Sequence, residues 1–162
     1  MKKITTTLLF FLSINLTQAQ DIKVSSGTAF QIPSGVIFHL NGLTLTPSAT
    51  FDLDGLSLTK NAARTQSLPS GNTNASITRA YTFSATSPSF SGTVRVDYVD
   101  VELNGITEST LEVNYHNGTA WNQVSTASRD VSTNYVISGA LTTQTLREIT
   151  MASALPHCRL RG

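Results

Sequence analysis

Cysteine is nearly missing from this sequence: Cys158 stands alone among 162 residues. One thiol cannot close an internal disulfide or furnish a Cys-based zinc site. Charge is scarce as well. Charged residues make up 13% of the chain, against roughly 25% in ordinary globular proteins. Eleven basic residues against ten acidic ones give a net charge of +1, which excludes a polybasic nucleic-acid binder. Arg64, Arg79, Arg95, Arg129 and Arg147 are dispersed rather than clustered. Long apolar runs are absent too. Leu8–Leu16 is apolar but far short of the roughly 20 residues that span a bilayer, so no membrane span is expected. No Gly-x-Ser-x-Gly elbow occurs, and no glycine-rich loop opens a helix to hold phosphate. Hydrophobic residues at 40% nevertheless match a chain with a real core rather than a disordered one.

What the sequence has in abundance is hydroxyl groups: Ser and Thr supply 43 residues, about a quarter of the chain. Its first 19 residues have the layout of a secretory signal peptide. Lys2 and Lys3 form the positive end, Leu8–Leu16 the apolar stretch, and Thr17-Gln18-Ala19 a small-residue cleavage site. Cleavage after Ala19 leaves nine basic against ten acidic residues. The mature chain is expected to be exported.

From Asp21 onward apolar and polar residues alternate with period two, and no helical period is convincing. Tyr81 and Phe83, Val94 and Val96, Leu111, Val113 and Tyr115, and Tyr135 and Ile137 sit in such runs, with Tyr98 and Val99–Val101 read as extending the second. Asn41-Gly42, Asn104-Gly105, Asn117-Gly118 and Asp54-Gly55 supply residues that tolerate the positive φ of tight hairpin turns. The chain is therefore expected to be all-β. Phe38–Thr46 and Phe51–Thr59 match at six of nine positions, 13 residues apart. This repeat over 20–62 reads as a stacked β-hairpin ribbon or the start of a β-solenoid; the alternative is two similar hairpins within one sandwich. Residues 63–75 read as a linker. Residues 76–153 read as an antiparallel, Ig-like β-sandwich with about six strands. The tail, 154–162, breaks the composition and reads either as a flexible native end or as an out-of-frame or vector-derived one.

Catalytic constellations are thin. His39 and His116 both lie beside Asn-Gly turns, where they read as polar strand residues facing water. Asp97, Asp100 and Glu102 are close in sequence, and Asp100 and Glu102 are expected to share a wet strand face. No enzyme site is expected there, and no cofactor is implied. Asp52-x-Asp54-Gly55 resembles the opening of a calcium loop, so Asp52 and Asp54 are weak Ca²⁺ candidates, although the later ligands are missing. Trp121 and Tyr115 flank one expected hairpin and are the candidate ligand-binding pair, because aromatic faces stack on the C–H faces of sugars. The same rings also fill sandwich cores.

The repeat Leu-[Asn/Asp]-Gly-Leu-[Thr/Ser]-Leu-Thr, Tyr98–Glu108 and His116-Asn-Gly-Thr-Ala-Trp121 resemble a β-rich module of secreted Bacteroidetes (flavobacterial) proteins. In that family the module often precedes a type IX secretion sorting domain, and it carries no catalytic motif. The resemblance implies a structural or adhesive module at the cell surface or outside the cell, with polysaccharide or neighbouring β-modules as partners. A carbohydrate-binding module accessory to a secreted hydrolase is the alternative. The family's sorting domain does not follow Ser153; should the gene stop at Gly162, the product is expected to remain periplasmic.

Overall fold

The computed structural model describes residues 21–27, 30–66 and 76–153. The expected signal peptide, the tail and most of the expected linker lie outside these residues. The described chain is all-β, as its alternation implies, and every strand pairing is antiparallel.

Six short strands come from the first part: β1 (Asp21–Lys23), β2 (Gln31–Ile32), β3 (Phe38–Leu40), β4 (Leu43–Pro47), β5 (Phe51–Asp52) and β6 (Ser57–Asn61). Eight follow: β7 (Ser76–Phe83), β8 (Phe90–Asp97), β9 (Leu111–His116), β10 (Trp121–Gln123), β11 (Thr126–Asp130), β12 (Tyr135–Ser138), β13 (Leu141–Gln144) and β14 (Glu148–Ser153). The first sheet runs β1-β6-β7-β14-β9-β10. The second runs β11-β12-β8-β4-β3, with β13 also on β8, and β2 pairs β5 in a small third sheet.

One apolar cluster joins the two large sheets. Leu43, Leu45, Val94, Val96 and Val136 come from the second, and Leu58, Ile77, Tyr81, Phe83, Val113 and Ile149 from the first. On β4 and β8 burial alternates strictly, so Leu43, Leu45, Phe90, Val94 and Val96 face inward while Thr44, Thr46, Thr93, Arg95 and Asp97 face out. β4 and β8 come so close at Pro47 and Gly92 that a Cβ on Gly92 would lie 2.8 Å from Pro47 Cα, and Gly92 adopts a φ of 145°.

The N-terminal repeats do not stand apart as a ribbon or solenoid. The first copy is a hairpin, β3–β4, inside the second sheet. Its Asn41 and Gly42 have φ of 49° and 90°, with Leu40 opposite Leu43, the two-residue turn expected from sequence. The second copy is no hairpin. Its β5 pairs β2, while its β6 pairs β7 and β1 in the first sheet. At Asp54-Gly55 only the glycine has positive φ; Leu53 and Leu56 are both buried, and the Leu56 N–H donates to Leu53 O. The turn is as short as the first but differs in the conformation of its first central residue, and β6 leaves β5 for the first sheet instead of pairing back on it. β6 and β7, which lie on either side of 63–75, are hydrogen-bonded neighbours in the first sheet.

Three further expectations fail for local reasons. β8 stops at Asp97, and Asp100–Glu102 forms a 3₁₀ turn that leaves Val99 and Val101 exposed. The Glu102 carboxylate accepts the Val99 N–H, which folds the backbone back instead of letting it continue in the sheet. At Asn117-Gly118, Trp121 lies opposite His116, so the loop has four residues rather than two. The Asn117 side chain accepts from the N–H groups of Thr119 and Ala120 and holds that wider loop closed. Asn104-Gly105 has the positive φ expected of it but joins two 3₁₀ turns, not two strands.

Candidate functional site

The outer face of the second sheet carries an open groove of about 370 Å³. β4 and β8 place Thr44, Thr46, Thr93, Arg95 and Asp97 on its floor, because these are the outward positions of their alternation. β3 adds His39, whose Nδ1 lies 2.9 Å from Thr44 Oγ1. On β12 the buried residues are Val136 and Ser138, so Tyr135 and Ile137 face outward. Arg95 Nε donates to Asp97 Oδ1 at 2.7 Å, and the guanidinium carbon lies 3.8 Å from the Tyr135 ring centre. That stacking and ion pairing fix the Arg95 fork without burying it, since its side chain stays 38% exposed. Ile37, 68% exposed, forms one wall and Ile137 another.

Trp121 and Tyr115 do not form a joint platform. Register puts Trp121 opposite His116 and Asn122 opposite Tyr115, so the two rings lie on opposite faces of the first sheet. Tyr115 points into the core and donates its hydroxyl to Gln144 Oε1 at 2.7 Å. Trp121 lies on the outer face, edge-on to His116 at 5.3 Å and 6.0 Å from the Arg64 guanidinium. Among the described residues its buried indole N–H has no hydrogen-bond partner. Burial pushes the His116 pKa below its ordinary value; nearby Arg147 acts the same way, against the opposing pull of Glu148. His116 Nδ1 accepts the Gly118 N–H at 3.1 Å, which suits the neutral ring.

The calcium candidates are also separated in role. Asp52 accepts the Asp54 N–H at 2.8 Å, closing a local turn, and faces Gln31 Nε2 at 3.5 Å. Asp54 is exposed. Among the described residues no group of three or more His, Cys, Asp and Glu side chains is placed to hold a metal.

The carboxylates at 97, 100 and 102 diverge. Asp97 pairs with Arg95, Asp100 accepts from Asn134 at 2.6 Å, and Glu102 pairs with Arg79 at 2.8 Å. Arg79 also donates to Asp97 O at the end of the second sheet. Tyr81, one turn of the pleat away, donates to Asn41 O, and burial raises its phenol pKa to about 12 against the pull of Arg79. A second buried charge, Glu148, accepts the Thr65 N–H, the Thr65 hydroxyl and the Gln66 N–H at 2.7–2.8 Å.

Sequence reasoning missed the groove and both buried charges. A signal for Arg79 existed: it occupies a core position in the alternating set Ile77, Arg79, Tyr81, Phe83. The pairing of Arg95 with Asp97 was readable as two opposite charges on one strand face. Their union with His39 and Ile137 was not, because β3 and β12 reach β8 through non-local pairing.

Searches against protein-family models and curated proteins give no match to this chain. No helix among the described residues is long and apolar enough to cross a membrane.

Proposed function

We propose that this chain is a non-catalytic exported β-module with a structural or adhesive role, working through an open sheet face rather than a catalytic cleft. The observation that carries this reading is how the acidic groups are used. Glu102 clamps Arg79, Glu148 fastens residues 65 and 66, Asp52 closes a turn and Asp100 holds Asn134. These groups lock the architecture, whereas acid–base work needs a carboxylate free to exchange its proton with a substrate. The signal-peptide pattern of residues 1–19 and the flavobacterial resemblance support export to the cell surface or beyond, with polysaccharide or neighbouring β-modules as partners.

Two measurements test this. Expressed in a flavobacterial host, the chain should appear outside the cytoplasm with Gln20 as its first residue; retention in the cytoplasm with Met1 intact overturns export. On a panel of glycosides and esters it should show no turnover. Hydrolysis that disappears in Asp100→Asn or Glu102→Gln would instead make it an enzyme. The groove on the second sheet favours a second reading, a carbohydrate-binding module that serves a secreted hydrolase.

A further inference from the structure

The chemistry of the groove narrows what it can hold. Its floor is the middle of a sheet: β8 is paired on both sides, by β4 on one and by β12 and β13 on the other. Backbone donors and acceptors there are spent, so an added strand has nothing to bond and recognition falls to side chains. Arg95 and Asp97 spend one Nε–H and one carboxylate oxygen on each other. The two Nη groups of Arg95 and Asp97 Oδ2 make no further hydrogen bond among the described residues. The pair therefore offers two donors and an acceptor, side by side, held in place by the Tyr135 ring.

That arrangement selects by charge. An anionic ligand meets Asp97, and a cationic one meets Arg95. A neutral ligand whose adjacent groups both donate and accept satisfies the two at once, and a vicinal diol is such a ligand. Ile137, opposite Arg95, and Ile37, at the β3 side of the groove, add apolar surface suited to the C–H faces of sugar rings. From β3 to β12 the groove crosses three strand spacings, roughly 14 Å, enough for a short oligosaccharide. Little must be ordered on binding, because the stacked pair is already built.

We propose that the outer face of the second sheet binds a run of neutral sugar residues, with Arg95 and Asp97 gripping adjacent hydroxyls and Ile37 and Ile137 packing against the rings. This rests on the module reading above and gives it a ligand class.

The test is affinity electrophoresis and calorimetry of the purified chain against soluble xylan, mixed-linkage β-glucan, mannan and starch, with polygalacturonate as the charged control. At least one neutral polymer should bind. Arg95→Ala and Asp97→Ala should each weaken binding roughly tenfold or more, as expected for losing a hydrogen bond to a charged group. Ile37→Asn, at an exposed position that folding does not need, should weaken it too. Urea unfolding of each variant separates lost binding from lost structure. Failure of all four neutral polymers, tighter binding of polygalacturonate, or binding indifferent to Arg95, Asp97 and Ile37 overturns the sugar site while leaving the non-catalytic module intact. Hydrolysis of a bound polymer by the purified chain overturns the module reading itself.

Discussion

Arg79 on β7 and Glu102 in the 3₁₀ turn after β8 meet at 2.8 Å, with side chains only 8% and 15% exposed. The contact closes one end of the sandwich. It ties the first sheet to the segment that leaves the second, and Lys60 stands 3.9 Å from the same carboxylate.

Breaking that pair on one side should be costly. Arg79→Met leaves Glu102 without its principal partner and is expected to destabilise the fold by about 3 kcal/mol. The double variant Arg79→Met with Glu102→Leu should lose clearly less than the sum of the two single changes, since it removes both charges. Urea midpoints for the four proteins measure this; strict additivity would mean that the pair is not coupled.

Glu148 makes a second, independent fastening. Its carboxylate is fully buried and accepts three hydrogen bonds from Thr65 and Gln66. Glu148→Gln sets an amide N–H₂ against those donors and should cost about 2 kcal/mol. Hydrogen exchange at the Thr65 and Gln66 amides should accelerate more than exchange in β4. Unchanged protection at both residues would contradict the fastening.

The pH dependence follows from His116. Its pKa in the folded chain lies below the ordinary 6.5, chiefly because of burial. Between that lowered value and 6.5 the unfolded chain binds more protons than the folded one. Stability therefore falls as pH drops through this window, and the contribution is fully present above it. Protonation also removes the acceptor that Gly118 uses. Denaturation midpoints taken from about pH 7 to about pH 5 should decline, and His116→Gln should flatten the decline. An equal slope in the variant would assign the effect to other groups.

At Gly92 the limit is backbone contact. A side chain there would press on the Thr46 carbonyl and Pro47 of the neighbouring strand, in a φ region that L residues rarely adopt. Gly92→Val is expected to destabilise by about 3 kcal/mol or more and to loosen β4 from β8. Amide exchange at Thr44 and Thr46 reports the second effect, and a variant as stable as the parent would show that the strands can separate at little cost.

Trp121 gives an internal control for the sugar site. It lies on the first sheet's outer face, on the far side of the core from the groove. Its fluorescence should stay constant while a neutral polysaccharide binds. A shift or quench on binding would move the ligand to the first sheet.

Much of this molecule was legible residue by residue. The alternation of Ser76–Phe83 and Leu111–His116 predicts strands that are present, and Asn41-Gly42 predicts a two-residue hairpin that is present. These signals are local: pleat geometry sets the period, and positive φ at two adjacent residues sets the turn. Val99–Val101 looked equally β-like, yet the run ends because Glu102 turns back to cap it. Asn117-Gly118 looked like a tight turn, yet the Asn117 side chain organises a wider one.

The all-β character, the positions of most strands and the scarcity of free charge follow from the sequence alone, because each depends on neighbours a few residues apart. Tertiary structure decided the rest. Near-identical repeats went to different sheets, since their turns differ by one backbone conformation and each strand then took the partner within reach. Tyr135 and Ile137 turned outward although they are as apolar as the core, because Val136 fills the place opposite Val96. Arg79 and Glu148 entered the interior because partners distant in sequence, Glu102 and Thr65, were there to meet them. A periodic pattern specifies that a strand has two faces; only the other strands determine which face is covered and what chemistry gathers on the one left open.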